Sequence, residues 1–325
     1  MIRFSCLFIA IALHCFADVP QDTALDDEIA ALENARLILP SAAVNEWQEQ
    51  KVFFQENGYL WIKNFFSQEQ VLLLKSWVDE INIASRTLLA LKENNGKLAK
   101  NLPGTLIIVP EAKDPMQVCR AEDMLSFYPD FYHFITGTLT SYIGRLLGEP
   151  YVLFKDKINF KWPGGGAFLP HQDFPAYEFF GPREHVTAMI CIDPATLENG
   201  CLQVAKKWRE TFAENPALNA EGVKTGHVVL PFITGGSAHG SIKPEFSEKI
   251  SWLPLETSPG DLVLIDSFLP HYSETNTSKK PRRAMFFTHN KMKEGDHRQA
   301  YYHAKRTDPD NPTFHIGTPT KARGK

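Results

Sequence analysis

The chain has 325 residues, 43% of them hydrophobic and 12% aromatic, with a formal charge of −4. That composition suits a globular protein with a sizeable core and lacks the basic face that a nucleic-acid footprint needs. Outside the N-terminus no apolar run reaches the roughly 18 residues of a membrane span, and no internal repeat or low-complexity segment is present.

The first residues read as a leader. Met1-Ile2-Arg3 is a short basic start, Phe4 to Phe16 is apolar but for Ser5 and His14, and Ala17 precedes the polar Asp18. A charged start, an apolar stretch and a small residue at the cut are the parts of a secretory signal. Residues 1–17 are therefore expected to direct export, with cytoplasmic location the alternative, and no membrane span is expected in the mature chain. Beyond the leader, Cys119, Cys191 and Cys201 make no disulfide framework.

Asp26 to Leu39 and Ala42 to Phe54 carry apolar residues at helical spacing, and Glu56-Asn57-Gly58 stops the second helix. Tyr59 to Lys63 is a short strand. Ser67, with Gln70 three residues on, predicts a capping box. It opens a helix whose buried stripe is Val71, Leu74, Trp77, Val78 and Ile81. Leu91 to Gln117 is polar and broken, a loop with one strand from Thr105 to Val109. A further helix is expected from about Phe131 to Leu147, ending at Gly148.

From Tyr151 the pattern changes to short β-rich runs separated by Gly, Pro and Asn. These are Tyr151–Trp162, His185–Asp193, Cys201–Ala205, Gly226–Leu230, Ile250–Leu255, Asp261–Ser267 and Arg282–Thr288. Strands at this spacing predict an all-β sandwich or barrel, here buttressed by the N-terminal helices. No linker interrupts it, so residues 18–305 are expected to form one domain, with 306–325 a polar C-terminal tail.

Two stretches carry the chemistry. Phe168-Leu169-Pro170-His171-Gln172-Asp173 places an imidazole and a carboxylate at i and i+2, which share one face of a strand. Asp261 to Ser267 then delivers His271 just beyond its end. Two His and one carboxylate that leave coordination positions open are diagnostic of non-haem Fe(II) oxygenases. Arg282, Ala284, Phe286 and Thr288 share a face of a later strand, where a guanidinium can grip a carboxylate bidentately. Strand alternation lets only one of Arg282 and the adjacent Arg283 point inward, and the eleven-residue spacing after His271 favours Arg282.

Together these segments resemble the phytanoyl-CoA hydroxylase (PhyH) superfamily of Fe(II)/2-oxoglutarate dioxygenases. The resemblance rests on His171-x-Asp173, His271 and Arg282, on Asn199-Gly200-Cys201-Leu202-Gln203-Val204, and on the run from His271 to Ala284. Lys157-Ile158-Asn159-Phe160-Lys161 is similar to the ectoine-hydroxylase branch. Glu294-Gly295-Asp296-His297-Arg298-Gln299-Ala300-Tyr301-Tyr302 looks like members that hydroxylate small aminophosphonates. The resemblance covers roughly residues 50–305. It implies an all-β, cupin-like double-stranded β-helix (jelly roll), with Fe(II) on His171, Asp173 and His271, and 2-oxoglutarate on Arg282, Asn159 and Lys157. It further implies O2 as co-substrate, ascorbate as a supporting reductant, and hydroxylation of a C–H bond of a small molecule with release of succinate and CO2. Ala205-Lys206-Lys207-Trp208 and Tyr272 depart from the family pattern on the expected substrate side, so a substrate cannot be copied across.

The residues after the metal pair, Phe174, Tyr177, Glu178 and Arg183, are expected substrate contacts. Lys155, Lys157 and Lys161 alternate on one strand face, as a solvated basic edge or as a site for an anionic group. Asn276-Thr277-Ser278 is a glycosylation sequon that also suits a structural turn. Other His residues, His185 among them, are read as structural or surface. The competing functions are a catalytically silent barrel acting as a binding module and a divalent-metal hydrolase using the same ligands.

Overall fold

The computed structural model describes residues 44–95 and 106–316. The expected leader and the helix from Asp26 to Leu39 lie outside the described residues. Helix α1 (Val44–Asn57) stops at Gly58, whose φ of +77° turns the chain into strand β1 (Tyr59–Ile62). The long helix α2 (Gln68–Asn95) begins with the predicted reciprocal box: Ser67 N–H donates to Gln70 Oε1 (2.9 Å), and Gln70 N–H to Ser67 Oγ (3.3 Å). Leu74, Trp77, Val78 and Ile81 are buried on one stripe of it. Among the described residues no helix is long and apolar enough to cross a membrane.

The expected helix from Phe131 to Leu147 starts earlier and has three parts. Helix α3 (Pro129–Ile135) passes through a π-spaced turn, Thr136–Thr140, into α4 (Ser141–Leu147), which Gly148 caps at φ +83°. The remaining strands are β2 (Ile107–Pro110), β3 (Val118–Glu122), β4 (Tyr151–Lys161), β5 (Phe168–His171), β6 (His185–Cys191), β7 (Leu202–Lys206), β8 (Ser251–Leu255), β9 (Leu262–Asp266), β10 (His271–Ser273) and β11 (Arg282–Lys291). They form two antiparallel sheets, one of order β1-β9-β6-β11-β4-β3-β2 and one of order β5-β10-β7-β8. This is the double-stranded β-helix expected from the sequence.

Two expectations fail here. Gly226–Leu230 forms no strand, because Gly226 is the left-handed cap of the helix Ala220–Thr225 and its N–H returns to that helix. Strand β3 lies where a loop ended, and it brings Arg120 and Glu122 inward, opposite Asn159 and Lys157 of β4.

Between the sheets Met189, Cys191, Val204, Ala284 and Phe286 interlock in a buried cluster. The outer face of the large sheet meets the helices: Phe287 of β11 touches Phe131 (5.9 Å between ring centroids), which stacks on Trp77 of α2 (4.5 Å). A β-bulge between Thr288 and His289 leaves Phe154 of β4 without a ladder partner. Its ring packs on Tyr177, His185 and Tyr301.

The C-terminal segment is no loose tail as far as residue 316. Helix α5 (Arg298–Thr307) buries Tyr301, Tyr302 and Lys305, and the following turn buries Phe314. A fully buried carboxylate ties α5 to β3: Glu122 pairs with Arg120 (2.6 Å) and receives both of its contacts to Lys305 Nζ at 2.7 and 2.8 Å. Burial opposes the Glu122 charge, but Lys305 and Arg120 outweigh it and hold the carboxyl well below its ordinary range.

A carboxylate depressed in the folded state adds stability above its unfolded pKa of about 4.3, lost as pH falls through the folded value. Glu122→Gln strands two buried cations, so denaturant unfolding at neutral pH should show a loss of about 3–5 kcal/mol. The acid limb of stability against pH should flatten as well. Unchanged stability of the variant would contradict this reading.

Candidate metal centre

Strand β5 ends at His171 and strand β10 begins at His271, and the two residues are direct partners in an antiparallel pair. Directly opposed residues point to the same face, and the two rings lie 4.3 Å apart between centroids. Each ring is fixed by its own chain: Nδ1 of His171 lies 2.6 Å from Leu169 O, and Nδ1 of His271 lies 3.0 Å from Leu269 O. A proton on each Nδ1 leaves both Nε2 lone pairs free for a metal, the arrangement in which a backbone carbonyl sets the tautomer.

Asp173 reaches the imidazoles by a different route from the one expected. It lies past the end of β5, with helical dihedrals (φ −76°, ψ −29°), at the head of a short turn, Phe174–Ala176. Its Oδ1 stands 3.9 Å from His171 Nε2. One ligand atom from each of His171, Asp173 and His271 falls within 4.8 Å of the others.

Between the two ligands Gln172 turns away and acts as a brace. Buried to 2% exposure, it donates through Nε2 to Phe268 O (2.5 Å) and Val228 O (2.9 Å), and accepts from Leu230 N–H (2.7 Å).

Burial, with His271 alongside, pushes the His171 pKa down to about 3, so the imidazole is neutral at physiological pH. Burial would raise that of Asp173, but His271, Lys157 and His171 outweigh it and keep the carboxylate ionised. A neutral His171, the second imidazole of His271 and an ionised carboxylate form a donor set that suits Fe(II).

Across the interior, register places Arg282 beside Lys161, Ala284 beside Asn159, Phe286 beside Lys157 and Thr288 beside Lys155. Arg282 is buried and its Nε has no hydrogen-bond partner, and the same holds for Asn159 Oδ1. Two orphaned buried polar groups on one face fit a carboxylate-bearing co-substrate. Lys161 donates to Ser273 Oγ (2.7 Å) and Glu274 O (2.5 Å), and burial with Arg282 nearby pushes its ammonium down to about 6. Arg283 points outward and is consumed by Asp193 (2.7 Å) and by an ion pair with Asp79.

The alternating lysines therefore form no solvated edge: Lys155 and Lys161 are buried inside the barrel. Of the expected substrate contacts, Tyr177 is buried beside Lys155, whose Nζ lies 5.0 Å from its ring centroid. Phe174 stacks on Phe268 (4.3 Å). Glu178 and Arg183 are exposed, because the chain after Ala176 turns back to the surface. Asn276 is wholly buried and donates to Lys161 O and Lys280 O, a structural turn.

The profile of the family described as phytanoyl-CoA dioxygenase (PhyH) matches residues 54–284. The chain belongs to this family. Phytanoyl-CoA dioxygenase family members use Fe(II) and 2-oxoglutarate, and this chain is such a dioxygenase. It is 36% identical to a 2-aminoethylphosphonate dioxygenase of an uncultured bacterium over 260 residues, 80% of this chain and 87% of the relative. It is 34% identical to a methylphosphonate hydroxylase of Gimesia maris, over 78% of this chain and 84% of that one. Among solved structures, EctD from S. alaskensis with 2-oxoglutarate and 5-hydroxyectoine shares the fold, with a TM-score of 0.57 at 19% identity, over 80% of this chain and 83% of EctD.

Sequence reasoning missed Arg120 and His185 as interior residues, and nothing local marked them; for Lys155 it left a solvated edge and an anion site both open.

Gln172→Ala leaves Leu230 N–H and two buried carbonyls without partners. Urea unfolding should show a loss of about 2–4 kcal/mol, and full wild-type stability would contradict the bracing role.

Proposed function

We propose that this chain hydroxylates a C–H bond of a small organophosphonate. In this reading Fe(II) sits on His171, Asp173 and His271, and 2-oxoglutarate is gripped by Arg282 with Asn159 and Lys157. The reading is carried by the convergence of the three ligand atoms within 4.8 Å, facing a buried arginine whose Nε has no partner. The two phosphonate-acting relatives support the substrate class.

When bound, Fe(II) with 2-oxoglutarate and O2 supplies the oxidising power that inserts one oxygen atom into a C–H bond, yielding succinate and CO2. The chain does the holding. The carbonyls of Leu169 and Leu269 keep protons on Nδ1 of both rings, so Nε2 stays a lone-pair donor. Asp173 contributes the negative charge. Arg282, short of any carboxylate of its own, offers a planar fork to the far carboxylate of the co-substrate. The Phe174–Phe268 stack closes the turn beside Asp173 and keeps water from that side.

Purified protein with Fe(II), ascorbate, 2-oxoglutarate and methylphosphonate or 2-aminoethylphosphonate should release succinate and give a hydroxylated product by 31P NMR. His171→Ala should abolish both, and coupled turnover at the wild-type rate would eliminate the assignment. Arg282→Met should raise the Michaelis constant for 2-oxoglutarate about 100-fold, the worth of a buried bidentate ion pair. Arg283→Ala should lower the melting temperature and leave that constant alone; the opposite pattern would transfer the role to Arg283.

A further inference from the structure

Against the inner face of the large sheet the chain sets more basic side chains, Lys305 from α5 among them, than it supplies carboxylates to match. Arg120, Lys155, Lys157 and Lys305 gather there, around one carboxylate that is not a metal ligand, Glu122. Glu122 is already taken by Arg120 and Lys305. On the proposed reading Asp173 serves the metal, while 2-oxoglutarate spends its two carboxylates on the metal side and on Arg282. Lys155 is left over. It is buried to 6% exposure, two residues from the like-charged Lys157, and its hydrogen bond goes to the neutral Tyr301 hydroxyl at 3.2 Å. Burial, with Lys157 alongside, pushes its ammonium well below the ordinary lysine range, and an anion set against it restores the charge.

A second observation points to the same place. His185 is 1% exposed, and neither ring nitrogen has a hydrogen-bond partner. Its ring packs 4.8 Å from Tyr177 and 4.9 Å from Phe154, the residues that surround Lys155 and Tyr301. Burial pushes its pKa down to about 3, and the charges of Asp173 and Lys155 both act on it. The His185 imidazole and the Lys155–Tyr301 pair therefore lie against the same two rings, Phe154 and Tyr177. Both nitrogens of that imidazole are free to serve a polar ligand.

We propose that Lys155, Tyr301 and His185 form the subsite that receives the dianionic phosphonate group of the substrate. This rests on the dioxygenase reading and adds the recognition of the substrate to it. The ammonium and a ring N–H donate to the phosphonate oxygens, and the Tyr301 hydroxyl holds the ammonium in place. The Tyr177 ring, against Lys155, walls the pocket on the side nearest Asp173. Such a subsite prefers a dianion to a monoanion of the same shape, because the stronger field of the dianion holds the proton on Lys155 against the burial that pulls it off.

The test is anaerobic calorimetry of protein loaded with Fe(II) and 2-oxoglutarate, titrated at pH 8 with methylphosphonate and, as the monoanionic isostere, methanesulfonate. The wild type should bind methylphosphonate at least about 10-fold more tightly than the sulfonate. Lys155→Met, matched in length and apolar, should lose about 10- to 100-fold in methylphosphonate affinity, the worth of a charge-assisted hydrogen bond. Tyr301→Phe, which preserves the ring packing, should lose several-fold. The surface control Lys249→Met should bind as the wild type does. Failure of the wild type to bind methylphosphonate, or equal affinity in Lys155→Met, overturns the subsite. Selective phosphonate binding by a wild type that releases no succinate would support the subsite and sink the dioxygenase reading instead.

Discussion

Everything at the centre of this protein depends on one pairing, His171 opposite His271 across the antiparallel strands β5 and β10. Residues a hundred apart in the chain become neighbours there because β5 and β10 lie side by side in the small sheet. The ladder fixes their separation, and the carbonyls two residues earlier fix their ring orientation. Asp173 needs no strand of its own. A turn immediately after β5 is enough to swing its carboxylate within reach, while Gln172 anchors the turn to two neighbouring segments.

The second constraint is electrostatic. A barrel interior lined by lysines and arginines can exist only if each charge is matched, neutralised or reserved. All three solutions occur against one sheet face. Arg120 and Lys305 are matched by Glu122. Lys161 is drawn toward its neutral form by burial and neutral acceptors. Among the described residues Arg282 and Lys155 are neither matched by a carboxylate nor solvated, and they stand apart along the β4–β11 ladder, beside Lys161 and Thr288 respectively. On the proposed reading Arg282 takes the co-substrate and Lys155 the substrate, each an anion that the chain itself does not supply.

Much of this was legible in the sequence, for physical reasons that can be named. His171, His271 and Arg282 sit at or beside strand ends with strong alternation, so spacing alone aligned them, and the same alternation separated Arg282 from Arg283. Ser67 and Gln70 announced the start of α2 because a capping box is local. Asp173 comes near the two imidazoles by another geometry than the one expected, since period-2 reasoning assumes a strand that in fact ends at His171. Strand β3 escaped notice because Cys119-Arg120-Ala121-Glu122 turns its charged residues inward, the reverse of the usual pattern. The lysines of β4 invited a solvent-facing reading for the same reason: nothing within a single strand says which face is closed by the other sheet. Glu178 and Arg183 were misjudged because position after a metal strand does not say where the chain leaves the pocket. Residues 308–316 looked like a tail, yet Phe314 is buried against Tyr301 (5.6 Å), a contact that exists only once α5 is docked.

The central claim, that two imidazoles and one carboxylate share an ion in an interior with anion sites at Arg282 and Lys155, is tested most directly by crystallography. Crystals grown anaerobically with Fe(II), 2-oxoglutarate and methylphosphonate would be measured at the iron absorption edge. The account predicts one anomalous peak bonded to His171 Nε2, Asp173 and His271 Nε2, with a 2-oxoglutarate carboxylate on Arg282 and the phosphonate on Lys155. An iron peak away from these three residues, or 2-oxoglutarate bound with Arg282 untouched, would contradict it.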